Sequence, residues 1–162
     1  MNEREKNQIR PVIPEDIPKL KQIIEATNMF PPAMLDNMIA GFFSDSQNSD
    51  LWLTYDIGVN DRNAKAVVYC RPEDMTDRTW NLLLIAVDPQ YQGQGIGRQL
   101  MSHIEHHLAM HKQRLLIVET SGTDALADTR SFYRQCHYQE AGRIRDYYEK
   151  GDDKVIFQKA MQ

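Results

Sequence analysis

Between Leu82 and Leu108 the chain reads as a buried strand, a glycine-rich turn and an amphipathic helix in direct succession. No other feature constrains the fold as much. Leu82 to Val87 is an unbroken apolar run of six residues, stopped by Asp88-Pro89. Counted from Trp80, with Asn81 as its one polar position, it predicts a central strand buried on both faces. Ile96, Leu100, Ile104 and Leu108 recur every four residues and predict a helix from about Gly95 to Lys112 with one buried stripe. Three alternating glycines, Gly93, Gly95 and Gly97, let the backbone turn tightly and come close to a ligand. A helix N-terminus adds unpaired N–H groups and the positive end of a dipole, so strand, turn and helix make an anion site suited to phosphates. Arg98 places a cation in the first turn, where the dipole alone would favour an acid, and so fits a phosphate nearby.

Two common phosphate loops do not match. A nucleotide P-loop needs Gly-Lys-Ser/Thr, which this turn lacks. The dinucleotide pattern GxGxxG fails because Arg98 stands at its sixth position. A plain structural turn stays open on these grounds alone.

The remaining elements follow from periodicity. Ile9 to Ile13 predicts an edge strand beside Pro11 and Pro14. Pro14-Glu15-Asp16 starts a helix carrying Ile17, Leu20, Ile23 and Ile24, and Asn28 to Pro32 breaks it. A second helix, about Ala33 to Phe43, sets Met34, Leu35, Met38, Ile39 and Phe42 on one side. Strands follow at Leu51–Tyr55 and Ala66–Cys70, around a turn at Asp61-Arg62-Asn63. Leu115–Val118 is another buried strand, Asp124–Gln135 a helix, and Gly142–Glu149 with Lys154–Lys159 a final hairpin. The order β-α-α-β-β-β-α-β-α-β-β predicts one α/β or α+β domain over residues 1–162.

At 162 residues the chain is long enough to bury a self-sufficient core. Nineteen Lys and Arg against 23 Asp and Glu leave no basic footprint for nucleic acid or an anionic membrane. Cys70 and Cys136 form no disulfide framework and predict reduced, packed thiols. The polar start and the lack of a long apolar run predict a cytoplasmic protein.

The loop resembles the cofactor loop of the GNAT acetyltransferase superfamily, whose pattern is (Gln/Arg)-x-x-Gly-x-(Gly/Ala). Gln90, Gly93 and Gly95 fill it. Its flanks match too: Ile85-Ala86-Val87-Asp88-Pro89 before it, Tyr91 within it, and Gly97 with Leu100 after it. Phe132-Tyr133 resembles the family's helical Phe-Tyr pair, although the Gly-Phe usual at the following turn is replaced by His137-Tyr138. The resemblance implies a mixed, mostly antiparallel sheet of six to seven strands flanked by about four helices, and acetyl-CoA as cosubstrate. The pantetheine arm would pair with Ile85, Ala86 and Val87, and the pyrophosphate would lie on the N–H groups of Gln92, Gly93, Gln94, Gly95, Ile96, Gly97 and Arg98. By the same resemblance two neighbouring strands splay to admit the thioester, and the Val87 N–H is the oxyanion donor.

Acetyl transfer to an amine needs a neutral amine, a donor for the oxyanion and a proton for the leaving thiolate. Tyr133 is the candidate acid, since a phenol stays protonated at neutral pH. Glu119, after the strand Leu115–Val118, is the candidate base, where relatives that acetylate protein N-termini carry a glutamate. Asn81 stands where some histone-modifying relatives carry a glutamate; an amide cannot take the proton but can orient substrate or water. A water chain in place of a single base stays open. Phe30 and Tyr147 are candidate acceptor contacts. His103, His106, His107 and His111 form no HExxH and converge on no acid or thiol, so no metal is expected. The acceptor expected is a small-molecule amine or an amino acid. A protein N-terminus or lysine, a CoA-binding sensor without transfer, and a Rossmann-type oxidoreductase are the rival readings. A homodimer is compatible with the resemblance.

Overall fold

A computed structural model of the chain describes residues 8–58 and 62–162. Asp61 of the expected turn, and the first seven residues, lie outside them. Seven strands form one sheet: β1 (Gln8–Pro11), β2 (Leu51–Asp56), β3 (Ala66–Pro72), β4 (Thr79–Val87), β5 (Leu115–Ser121), β6 (Gln139–Glu149) and β7 (Asp152–Ala160). Their order is β1-β2-β3-β4-β5-β7-β6. β1 with β2, β2 with β3, β5 with β7 and β6 with β7 are antiparallel, and β4 with β5 is parallel. Four helices accompany the sheet: α1 (Ile17–Ala26), α2 (Leu35–Ser44), α3 (Ile96–Met110) and α4 (Ala127–Gln135). The element order matches the sequence reading throughout.

The chain divides into two compact units. The first takes in the described residues through Arg71 together with Leu84–His103. Its core is Leu20, Ile23 and Ile24 of α1, Leu35 and Ile39 of α2, and Trp52, Val67, Tyr69, Leu84 and Ala86 from the strands. Trp52 stacks on Tyr69, with ring centroids 4.1 Å apart. Met34, expected among the packed residues, is half exposed because it caps α2 instead of lying on its inner face. Arg10 ties β1 to the start of α1, bonding Asp16 at 2.8 Å and Asp56 at 2.6 Å. That partly buried triad gave no signal in the sequence.

The second unit takes in Pro72–Leu83 and Ile104–Gln162. Its core holds Leu82, Ile104, Leu108, Leu116, Val118, Tyr133, Val155 and Phe157. The β4–β5 ladder pairs Thr79–Leu82 with Leu115–Val118, while β4 itself runs on to Val87. β5 extends past the expected Val118 to Ser121, because β7 pairs with it along its whole length. Glu119 therefore lies within the strand, opposite Ile156, and not at its end.

β4 also departs from expectation. It is the fourth of seven strands, but Leu83 is 44% exposed and Ile85 and Val87 are only partly covered. Trp80, Leu82, Leu84 and Ala86 fill one face, and the alternate positions past Asn81 stay open. Unbroken apolarity reports that one face is packed; it does not show that the other is.

Candidate acyl-transfer site

In the first unit, Asp88 closes β4 and fixes the turn that follows. Its N–H donates to the Lys65 carbonyl at 2.8 Å, and its carbonyl accepts from the Tyr91 N–H at 2.8 Å. Its carboxylate accepts from the Gln90 N–H at 3.0 Å and from Lys19 Nζ at 3.0 Å. Burial works against that charge, but the Gln90 N–H and the ammonium groups of Lys19 and Lys65 outweigh it and hold the carboxyl below its ordinary range. The Lys65 ammonium also lies 4.9 Å from the centre of the Tyr91 ring. The sequence reading saw Asp88 only as a strand stop.

Gly93 has φ +77° and Gly95 has φ +83°, the left-handed region that other residues rarely adopt. A Cβ at Gly93 would meet nothing within 4 Å, and one at Gly95 only Gln99 Nε2 at 4.0 Å. Space over both glycines is thus open to a ligand. The first of the helical bonds runs from the Gln99 N–H to the Gly95 carbonyl at 3.0 Å. That leaves the N–H groups of Ile96, Gly97 and Arg98 at the free end of α3. Gln99 is held from the other side by the Tyr55 hydroxyl at 2.9 Å. Arg98 is exposed. Gln92 Nε2 donates to the Val87 carbonyl at 3.0 Å, an acceptor the resemblance leaves to pantetheine. Phe30, also in this unit, packs against the core cluster.

In the second unit, Tyr133 lies in α4 with its ring against Phe157 and Tyr138, at centroid distances of 5.7 Å and 6.1 Å. Burial pushes its phenol well up, with Cys136 adding to the effect. Among the described residues its hydroxyl takes no hydrogen-bond partner. His137 has φ +69° and fills the left-handed position after α4. The Tyr138 N–H closes the helix end on the Tyr133 carbonyl at 3.0 Å. The turn expected of a glycine is made here by a histidine.

Asn81 is 3% exposed, and its Nδ2 donates to Glu73 Oε1 at 2.7 Å. Its Oδ1 is sealed and has no partner. Reversing the amide would set two acceptors against each other, so this orientation is fixed by chemistry. Sequence reasoning missed Glu73, whose turn position carries no periodicity.

Glu119 is half-buried, with Lys154 Nζ at 2.9 Å. Lys154 also lies 3.8 Å from the centre of the Tyr147 ring. Burial opposes the lysine's charge, but bonds to Glu119 and Tyr147 outweigh it and hold its ammonium above the ordinary range. Register places Glu119 on the face of β5 opposite Val118, and Val118 pairs with Phe157, on which Tyr133 packs. The two proposed proton carriers therefore occupy opposite faces of the sheet. Tyr147 and Tyr148 are 51% and 47% exposed. Adjacent strand positions face opposite sides, but β6 shifts register between Ile144 and Glu149, and Asp146 there has φ +53°. The bulge breaks the alternation and turns both rings out.

Among the described residues no group of three or more His, Cys, Asp or Glu is placed to hold a metal ion. His107 and His111 stack at 4.2 Å, and His111 Nδ1 is engaged by the His107 carbonyl at 2.8 Å. No described helix is long and apolar enough to cross a membrane.

Comparison with known proteins converges on one family. The sequence model for the Acetyltransferase (GNAT) domain matches residues 47–140. The [ribosomal protein bS18]-alanine N-acetyltransferase of Escherichia coli is 31% identical over 93 residues, covering 57% of this chain and 61% of that protein. The match thus takes in about three fifths of the relative's own length. A crystal structure from Desulfovibrio desulfuricans, assigned to the GNAT family, superposes with a TM-score of 0.88 at 25% identity, covering 97% of this chain and 100% of that one. An aminoglycoside 6'-N-acetyltransferase complexed with coenzyme A shares the fold, with a TM-score of 0.77 at 12% identity over 96% of this chain and 97% of its own. The GNAT domain model covers more than half of the chain, and the chain belongs to the GNAT acetyltransferase family.

Proposed function

We propose that the chain moves an acetyl group from acetyl-CoA to a primary amine by direct attack in a ternary complex. The observation that carries this is the turn at Gly93 and Gly95: left-handed backbone, open space above it, and the free end of α3 beside it. A diphosphate fits such a cradle because N–H groups meet it without a Cβ in the way. Gln92 to Arg98 hold the diphosphate, and Ile85 to Val87 offer the edge of β4 to the pantetheine arm. Tyr133, kept protonated by burial, supplies the proton to the leaving thiolate. Because Glu119 stands on the other face of the sheet from Tyr133, the amine's proton reaches it through water, and the exposed Tyr147, which shares Lys154 with Glu119, contacts the acceptor.

The acceptor is a small-molecule amine or amino acid in the first reading. A second reading, a protein's N-terminal amine, is favoured by the name of the 31% identical Escherichia coli relative. Both are tested together. Thermal shift with acetyl-CoA, CoA, NADH and ATP comes first; a ligand at about 100 times its Kd adds roughly 2.7 kcal/mol to stability. The two CoA species are expected to raise the midpoint, and Gly95→Glu to abolish the rise. Thiol release is then followed over small amines and over peptides beginning with alanine. No shift with either CoA species overturns the proposal, and release with only one acceptor class decides between the readings.

A further inference from the structure

We propose that Glu119 and Tyr147 form a seat for a primary alkylammonium ion, which the chain's own Lys154 fills until an acceptor amine takes its place. The proposal rests on the acetyltransferase reading only in naming that incoming ion as the acceptor.

The seat follows from strand register. Lys154 stands opposite Ser121 and Ile156 opposite Glu119, so Lys154 and Glu119 are diagonal neighbours on one face of the β5–β7 pair. Lys154 Nζ lies 2.9 Å from Glu119 Oε2 and 3.8 Å from the centre of the Tyr147 ring. A carboxylate and an aromatic face are the two groups that hold an alkylammonium best, one by a charge-assisted hydrogen bond and the other through the ring quadrupole. Tyr148 stands at right angles to Tyr147, 5.0 Å away. Asp152, the neighbouring acid, is engaged by the Ser121 hydroxyl.

The chemistry of the occupant is that of an acceptor. A lysine ends in a primary alkylammonium, the group an aliphatic amine presents at neutral pH. The occupant is the buried partner: the side chain of Lys154 is 10% exposed and that of Glu119 28%, while Tyr147 is about half exposed. An incoming amine therefore reaches carboxylate and ring from solvent, and the displaced Lys154 ammonium has to turn outward to water. The exchange replaces one ion pair and one cation–π contact by the same two contacts. Its net gain is small, and Lys154 acts as a built-in competitor that weakens acceptor binding.

The test uses n-butylamine, an unbranched primary amine of the same reach as the lysine stem. Lys154→Met keeps the stem and removes the charge. KM for n-butylamine is expected to fall about five-fold or more, with KM for acetyl-CoA unchanged. An unchanged or raised amine KM overturns the proposal. Should Lys154→Met fail to fold, wild-type protein carrying ε-15N lysine answers the same question by NMR. Titration with n-butylamine is expected to move the Lys154 ammonium signal, and n-butanol to leave it in place. A signal unmoved by the amine overturns the seat. Movement without acetyl transfer to any amine upholds the seat and sinks the transferase reading; transfer without movement sinks the seat alone.

Discussion

Tyr133 keeps its proton because its ring is enclosed by Phe157 and Tyr138 and burial penalises the phenolate. Nothing among the described residues draws on its hydroxyl, which is free to donate. Tyr133→Phe keeps the packing and removes only the donor. A loss of about 10-fold or more in kcat is expected, with KM for acetyl-CoA little altered. Steady-state kinetics of thiol release check this, and full turnover would remove Tyr133 from the chemistry. At this scale the sequence was readable where backbone conformation dictates residue type. Gly93 and Gly95 stand where positive φ is needed, and their spacing showed it. It was unreadable where a role depends on a distant partner. Asp88 is held by Lys19 and Lys65, and Asn81 by Glu73, and no local pattern announces either arrangement.

Among the elements, the end of α4 is where local and global preferences conflict. His137 adopts φ +69°, a conformation costing a residue with a Cβ roughly 1–2 kcal/mol. Glycine pays no such strain but loses more entropy on folding. His137→Gly is therefore expected to stabilise the chain by about 0.5–1 kcal/mol, read from its urea midpoint, with activity retained. A lower midpoint would show that the imidazole has a structural role outweighing the strain. Elements were legible wherever a period repeats: the stripe Ile96, Leu100, Ile104, Leu108 is buried as the spacing required. They were less so where a single irregularity resets the pattern. The bulge around Asp146 exposes both Tyr147 and Tyr148, and strict alternation would have hidden one. The open face of β4 is likewise set by which elements cover it, information its own residues do not hold.

For the whole molecule, buried acids that stay protonated set the alkaline limit. Burial pushes up the Cys70 thiol and the Tyr133 phenol. In the unfolded chain these ionise near 8.5 and 10, while the folded chain keeps their protons. The native state then binds more protons than the unfolded one, so stability falls as pH rises through that window. Tm is expected to decline above about pH 8.5, and Cys70→Ala to flatten the first part of that decline. A Tm that is flat to pH 11, measured by calorimetry, would show that neither group is sealed as described. The division of the chain has a further effect, on its order of synthesis. Neither compact unit is continuous in sequence, since Pro72–Leu83 leaves the first and Leu84–His103 returns to it. A ribosome delivering the chain from its N-terminus completes the first unit only once His103 has emerged. By then Thr79–Leu82 is already outside the tunnel, and its ladder partner Leu115–Val118 has yet to emerge. The nascent chain thus passes through a stage in which β4 has one edge without its β5 partner, and that is where a trigger-type chaperone, or a misplaced pause in translation, would act.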